Sequence, residues 1–140
     1  MIRGAIYVGT IFCSIALAAN AQSIKLRLLN GKTGKPMRNQ TVTVTWVLPL
    51  GSVDVWIGID GTGTMTAPKE GDTFGMLSGT EAGSNKIAFL NCNTGASYYY
   101  VSEVYTVGVV PRNRCGKATA PVRRGEIIFW ALPRPFWDFQ

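Results

Sequence analysis

Five cations crowd around one cysteine: Arg112, Arg114, Lys117, Arg123 and Arg124 flank Cys115, the densest charge in the chain. Guanidinium and ammonium groups at this density suit phosphate, lipopolysaccharide, a membrane surface or an acidic protein. The plain alternative is solvated loop charge. The chain contains no His. That absence removes the commonest general base, the commonest metal ligand and the usual partner of a Ser or Cys nucleophile. It also removes most zinc sites, because Cys92 and Cys115, the two Cys beyond the first 21 residues, cannot complete one alone.

The remaining candidates for chemistry are thin. Glu103 sits between Ser102 and Val104 in an apolar stretch. Buried, it could serve as an acid or base; facing solvent, it is ordinary surface charge. No second carboxylate lies near enough in sequence for a glycosidase pair. Asp60, Glu70 and Asp72 fall in neighbouring loops, but their spacing fits no calcium loop, and an Asp before Gly61 is turn chemistry. Lys32-Thr33-Gly34 matches one motif of penicillin-binding enzymes, yet the Ser-x-x-Lys element that would give it meaning is missing, so it reads as a turn. The expectation is a protein without catalytic residues, metal or cofactor.

Aromatic residues offer a different chemistry. Trp46 shares the parity of Val42 and Val44 and Trp130 lies in an apolar run, so both are assigned to the core. Trp56 is out of phase with Val55 and Ile57, and Tyr98, Tyr99 and Tyr100 stand together. Phe136 and Trp137 belong to an aromatic tail, 133–140, set off by two prolines. Exposed rings of this kind stack on sugars or anchor a protein interface, and the tail aromatics either do so or cap the core.

These groups must be positioned by a small exported domain. Residues 1–21 carry a basic start at Arg3, an apolar run from Ala5 to Ala18, and small residues at Ala19 and Ala21. That is the pattern of a secretory leader cleaved before Gln22. The run is too short for a spanning helix, and Cys13 lacks the preceding small residue of a lipoprotein anchor. Cleavage leaves 119 residues, one domain, secreted or periplasmic, with Cys92 and Cys115 as its two cysteines. Two cysteines in a small exported domain read as one disulfide. The net charge falls from +6 to +5, because Arg3 is the one cation lost.

The mature chain reads as all-β. Alternation marks strands at 24–28, 42–46 and 53–59, and turn signals stand at 30–36 and 60–63. A weak strand is expected at 74–77, a Gly-rich loop at 78–85, a strand at 86–92 and a turn at 93–96. A long β-rich stretch follows over 98–110 with Gly108 as a bulge, then irregular chain over 111–124. The last strand, 126–132, is apolar on both faces and therefore central. About seven or eight short strands with turns between them give an antiparallel, Ig-like β-sandwich.

The turn Thr33-Gly34-Lys35-Pro36-Met37 before Val42 and Val44, and Asp60-Gly61-Thr62-Gly63-Thr64 further on, resemble the carboxypeptidase regulatory-like, or transthyretin-like, sandwich superfamily. The stretch from Val101 to Gly125 resembles small secreted acidobacterial proteins of that fold. The resemblance implies an accessory, binding or linking module. The enzymes of transthyretin architecture need His residues that this chain lacks. The functional expectation is an exported, non-catalytic module that engages an envelope or extracellular protein, with carbohydrate binding as the alternative and a small hydrolase at Glu103 behind both. Nucleic acid is not an expected partner after export.

Overall fold

The computed structural model describes residues 23–46, 51–67, 73–81, 87–94 and 98–133. Residues 1–21, expected to be a leader, and Glu70, Asp72, Phe136 and Trp137 lie outside them. The elements are β1 (Ser23–Asn30), β2 (Gln40–Trp46), β3 (Gly51–Ile57), β4 (Thr62–Thr66), β5 (Thr73–Glu81), β6 (Ile87–Asn91), β7 (Asn93–Thr94), β8 (Tyr99–Tyr100), α1 (Val101–Thr106), β9 (Arg112–Asn113) and β10 (Glu126–Pro133). The fold is an all-β sandwich. An eight-stranded sheet runs β3-β2-β5-β6-β10-β1-β4, with β8 added to β5, and β7 pairs with β9 in a small second sheet.

Alternation explains most of this. Ile24, Leu26 and Leu28 of β1, Val42, Val44 and Trp46 of β2, and Val55 and Ile57 of β3 are all buried. The residues between them face outward, as a period of two requires. The sheet wraps this apolar set into a single core that also takes Met65, Phe74, Phe89, Ile127 and Phe129. Its two end strands, β3 and β4, follow one another through a turn in which the Gly58 amide donates to the Thr62 carbonyl at 2.9 Å. There a side chain at Gly63 would lie 2.5 Å from the Trp56 carbonyl oxygen, so only Gly fits the seam.

Six expectations are corrected. The sheet is not wholly antiparallel, because β1 and β10 pair in parallel from Lys25 opposite Glu126 to Asn30 opposite Ala131. The stretch 98–110 is not a long strand; two strand residues lead into α1. Val101 and Val104 bury one stripe of that helix, with Tyr105 packed beside them. The spacing i, i+3, i+4 was present, but β-branched residues and tyrosines favoured the strand reading. Gly108 is not a bulge: at φ 90 it ends the helix, its amide donating back to Glu103. The expected loop at 78–85 starts too early, since β5 continues to Glu81, and the expected turn at 93–96 opens with strand β7. Finally, β3 stops at Ile57, which leaves Ile59 77% exposed rather than on the buried face. The central position of β10 holds, between β1 and β6.

Candidate functional site

Strand β10 is buried on both faces, and its two covers differ. Ile127, Phe129 and Ala131 face the main core. Ile128 and Trp130 face the other way and form a second apolar cluster with Leu29 and Cys92, over which Val110, Cys115, Ala118 and Ala120 pack. This outer cover is the irregular chain after Gly108, held down by specific bonds. The disulfide joins Cys92 to Cys115 with their Cα atoms 5.5 Å apart. The Cys92 amide donates to the Trp130 carbonyl and the Arg114 amide to the Cys92 carbonyl. The indole Nε1 of Trp130 donates to the Pro111 carbonyl at 2.9 Å, so the buried ring leaves no donor unsatisfied.

A second anchor ties this loop to the β1–β2 turn. Asn113 Nδ2 donates to the Gly31 carbonyl at 2.7 Å and to the Ala118 carbonyl at 3.3 Å, and its Oδ1 accepts the Cys115 amide at 3.0 Å. Gly31 makes the approach possible: a Cβ there would stand 2.8 Å from Asn113 Oδ1 and 2.9 Å from Cys115 Cβ. The turn itself is built by Asn30, whose Oδ1 accepts the amides of Lys32 and Thr33.

This docking enlarges the basic cluster. Arg112, Arg114, Lys117, Arg123 and Arg124 are all exposed, and the β1–β2 turn adds exposed Lys32 and Lys35 beside them. Between Glu103 and Glu126 the chain carries no acid. Some cations are already oriented. Arg114 Nη2 donates to the Asn91 carbonyl at 2.7 Å. Arg27 is paired with Glu126 through Nε to Oε1 at 2.8 Å and Nη2 to Oε2 at 3.2 Å. That pairing, led by the hydrogen bond to Glu126, holds the Arg27 pKa above its usual value. Glu126 is the buried carboxylate of the described structure, and the sequence reading did not single it out. Its signal was a lone acid heading an apolar central strand, which must find a cation from a neighbouring strand.

Two hollows flank the stretch Thr119–Ala120. One, of about 340 Å³, lies over Trp130 and is lined by Val110, Pro111, Arg112, Lys117 and Ala118 as well. The other, of about 210 Å³, is lined by Arg27, Pro36, Arg123, Glu126 and Ile128. Both combine an apolar floor with cationic walls.

The remaining candidates are scattered. Trp46 and Trp130 are core, as expected. Tyr99, expected in a surface cluster, is buried at 8% exposure between Phe74 and Phe129, and burial raises its pKa. The reason is parity: in β8 it points inward while Tyr98 and Tyr100 on either side are exposed. Trp56 is 52% exposed on the outer face of β3, opposite Thr41 and two residues along from Asp54, whose Oδ1 accepts the Thr43 hydroxyl at 2.8 Å. It does not share a surface with Tyr100. Thr41 pairs with Thr80 and Tyr100 with Thr73, on opposite sides of β5 and seven residues apart along it, about 23 Å. Glu103 is exposed on α1 and lines neither hollow. Both oxygens of Asp60 are engaged by Thr62, through its amide at 3.0 Å and its hydroxyl at 2.7 Å. The Thr62 hydroxyl is the larger reason the Asp60 pKa is lowered.

No protein-family model, curated protein or solved structure matches the chain. Among the described residues no helix is long and apolar enough to cross a membrane.

Proposed function

We propose that this is an exported, non-catalytic binding module of the carboxypeptidase regulatory-like kind, whose basic face on the Cys92–Cys115 loop engages an acidic protein of the envelope or extracellular space. One observation carries the reading: the Asn113–Gly31 bond holds the 112–124 loop, with its exposed cations and no acid, against the β1–β2 turn that bears exposed Lys32 and Lys35. Charges scattered merely for solubility need no such anchoring. A face of one sign, fixed in place, gains association rate and selectivity for an acidic surface. The disulfide supports an oxidising compartment, in line with the leader at residues 1–21. The turns at Thr33–Met37 and Asp60–Thr64 support the superfamily assignment.

The test is binding of poly-L-glutamate to residues 22–140 at rising salt. Binding that weakens steeply with salt and is lost in the Lys117→Glu/Arg124→Glu variant is expected; binding unchanged by charge reversal removes the basic face from the function. A second reading is favoured by the exposure of Trp56 beside Asp54 and Thr43, groups that suit a sugar ring and its hydroxyls. On that reading the ligand is a neutral polysaccharide, and the site is Trp56 without the tyrosines.

A further inference from the structure

The smaller of the two hollows has a floor made by a regular ladder. On the outward face of the parallel pair, β1 supplies Arg27 and Leu29, and β10 supplies Glu126 and Ile128. Pro36 and Gly34 of the β1–β2 turn and Thr119 and Arg123 of the basic loop complete the lining. The turn is folded back by a bridge from Leu29 to Pro36, and a Cβ at Gly34 would lie 3.5 Å from that of Ala118, so turn and loop meet beside the hollow. The floor carries both signs of charge. Glu126 is 6% exposed, and its two oxygens accept from Arg27 Nε at 2.8 Å and Nη2 at 3.2 Å. A guanidinium has more N–H donors, and a carboxylate more acceptor sites, than one such pairing consumes. Among the described residues the remaining donors of Arg27 and acceptors of Glu126 have no protein partner, and neither has the Arg123 guanidinium.

We infer that this hollow binds a small zwitterion, an α-amino acid with an apolar side chain, its carboxylate on Arg123 and the spare N–H groups of Arg27, its ammonium on Glu126, and its side chain toward Leu29 and Ile128. The inference goes beyond the basic-face reading, which concerns outward cations rather than this floor. A simple anion is drawn by Arg27 and Arg123 but repelled by Glu126; a simple cation meets the reverse. A zwitterion answers both signs, and the repulsion of the others supplies selectivity. Charge-assisted hydrogen bonds are stronger than neutral ones, and more so away from bulk water. The volume of about 210 Å³, roughly that of seven waters at about 30 Å³ each, suits a molecule of this size rather than a polymer segment. Arg27 and Glu126 hold one another in place from neighbouring strands, so this part of the site is formed before the ligand arrives and the cost of ordering it is reduced.

The experiment titrates residues 22–140 with leucine, N-acetylleucine, leucinamide, acetate and phosphoethanolamine, followed by amide shifts in NMR. Leucine is expected to move the amides of Thr119, Arg123 and Ile128 saturably. Acetylation removes the ammonium and amidation removes the carboxylate, and each is expected to weaken binding about tenfold or more, the loss of a charge-assisted hydrogen bond. Arg123→Ala, at an exposed position outside the core, is expected to weaken leucine about tenfold and to leave leucinamide unchanged, because amidation and the substitution remove the same contact. Acetate binding as tightly as leucine overturns the zwitterion, and so does phosphoethanolamine binding more tightly, which points to a lipid headgroup. No shift at these amides with any of the five overturns the site itself. None of these outcomes bears on the basic-face reading, whose test reverses Lys117 and Arg124, residues outside this hollow.

Discussion

The two faces of β10 are closed by different means. The inner face meets a regular sheet, where Phe129 and Ile127 are fully buried among side chains from strands on every side. The outer face meets a loop with little ladder of its own, fixed by a disulfide, by Asn113 and by the Pro111 carbonyl on Trp130. The inner cover is stabilised by burial, which is indifferent to what the outer surface carries. The outer cover depends on a few specific bonds, so the side chains between those anchors can be cations. One central strand thus separates a region that holds the fold from a region that can display a binding surface.

The largest expected effect is on the inner face. Phe129→Ala empties a fully buried ring position and should lower unfolding stability by about 3–5 kcal/mol in urea titration. An effect under about 1 kcal/mol would mean that the inner face does not dominate stability. On the outer face, the Cys92→Ser/Cys115→Ser pair removes a loop closure worth about 3 kcal/mol on the chain-entropy model. The sharper readout is local: Trp130 fluorescence should shift to the red and poly-L-glutamate binding should fall while the main sheet persists by circular dichroism. If the sheet melts together with the loop, the two covers are one cooperative unit.

Alkaline pH probes the inner core by another route. Burial raises the Tyr99 pKa above its ordinary 10.0, because the anion is disfavoured beside Phe74 and Phe129. The folded state therefore holds the proton more tightly than the unfolded state. Its contribution is fully present below about pH 10 and is lost as pH rises through the higher folded value. Urea midpoints of the wild type and Tyr99→Phe, taken on both sides of pH 10, should show the variant losing less stability with rising pH; identical slopes would remove Tyr99 from the alkaline response. The smallest effect is expected at Trp56. Trp56→Ala should change stability by no more than about 0.5 kcal/mol, as for other exposed positions. Tryptophan fluorescence titrated with a panel of neutral polysaccharides decides its role: a saturable shift in the wild type that the variant lacks supports the sugar reading, and no shift ends it.

Most of the sandwich was legible because alternation is a local signal. β1, β2 and β3 follow from residues two apart, and the parity of Trp46 and Trp56 separated a buried ring from an exposed one. Parity could equally have separated Tyr99 from its neighbours, but three tyrosines in a row read as one surface. Helix α1 was misread for a related reason: a six-residue helix spans too few turns for its period to outweigh β-branched composition. The basic loop was visible as charge density, whereas the contribution of Lys32 and Lys35 was not, since nothing in a sequence says that Gly31 lies against Asn113.

The sequence by itself determined the strand-rich class, the disulfide pair, the absence of histidine chemistry and the concentration of cations around Cys115. These depend on composition and on spacings of a few residues. Only the tertiary structure decided that β1 and β10 run parallel, that Arg27 answers the buried Glu126, and that Ala118 and Ala120 pack over Trp130 on the outer face. Each of these joins groups far apart in the chain. Which contacts form between such groups is set by how the whole core packs.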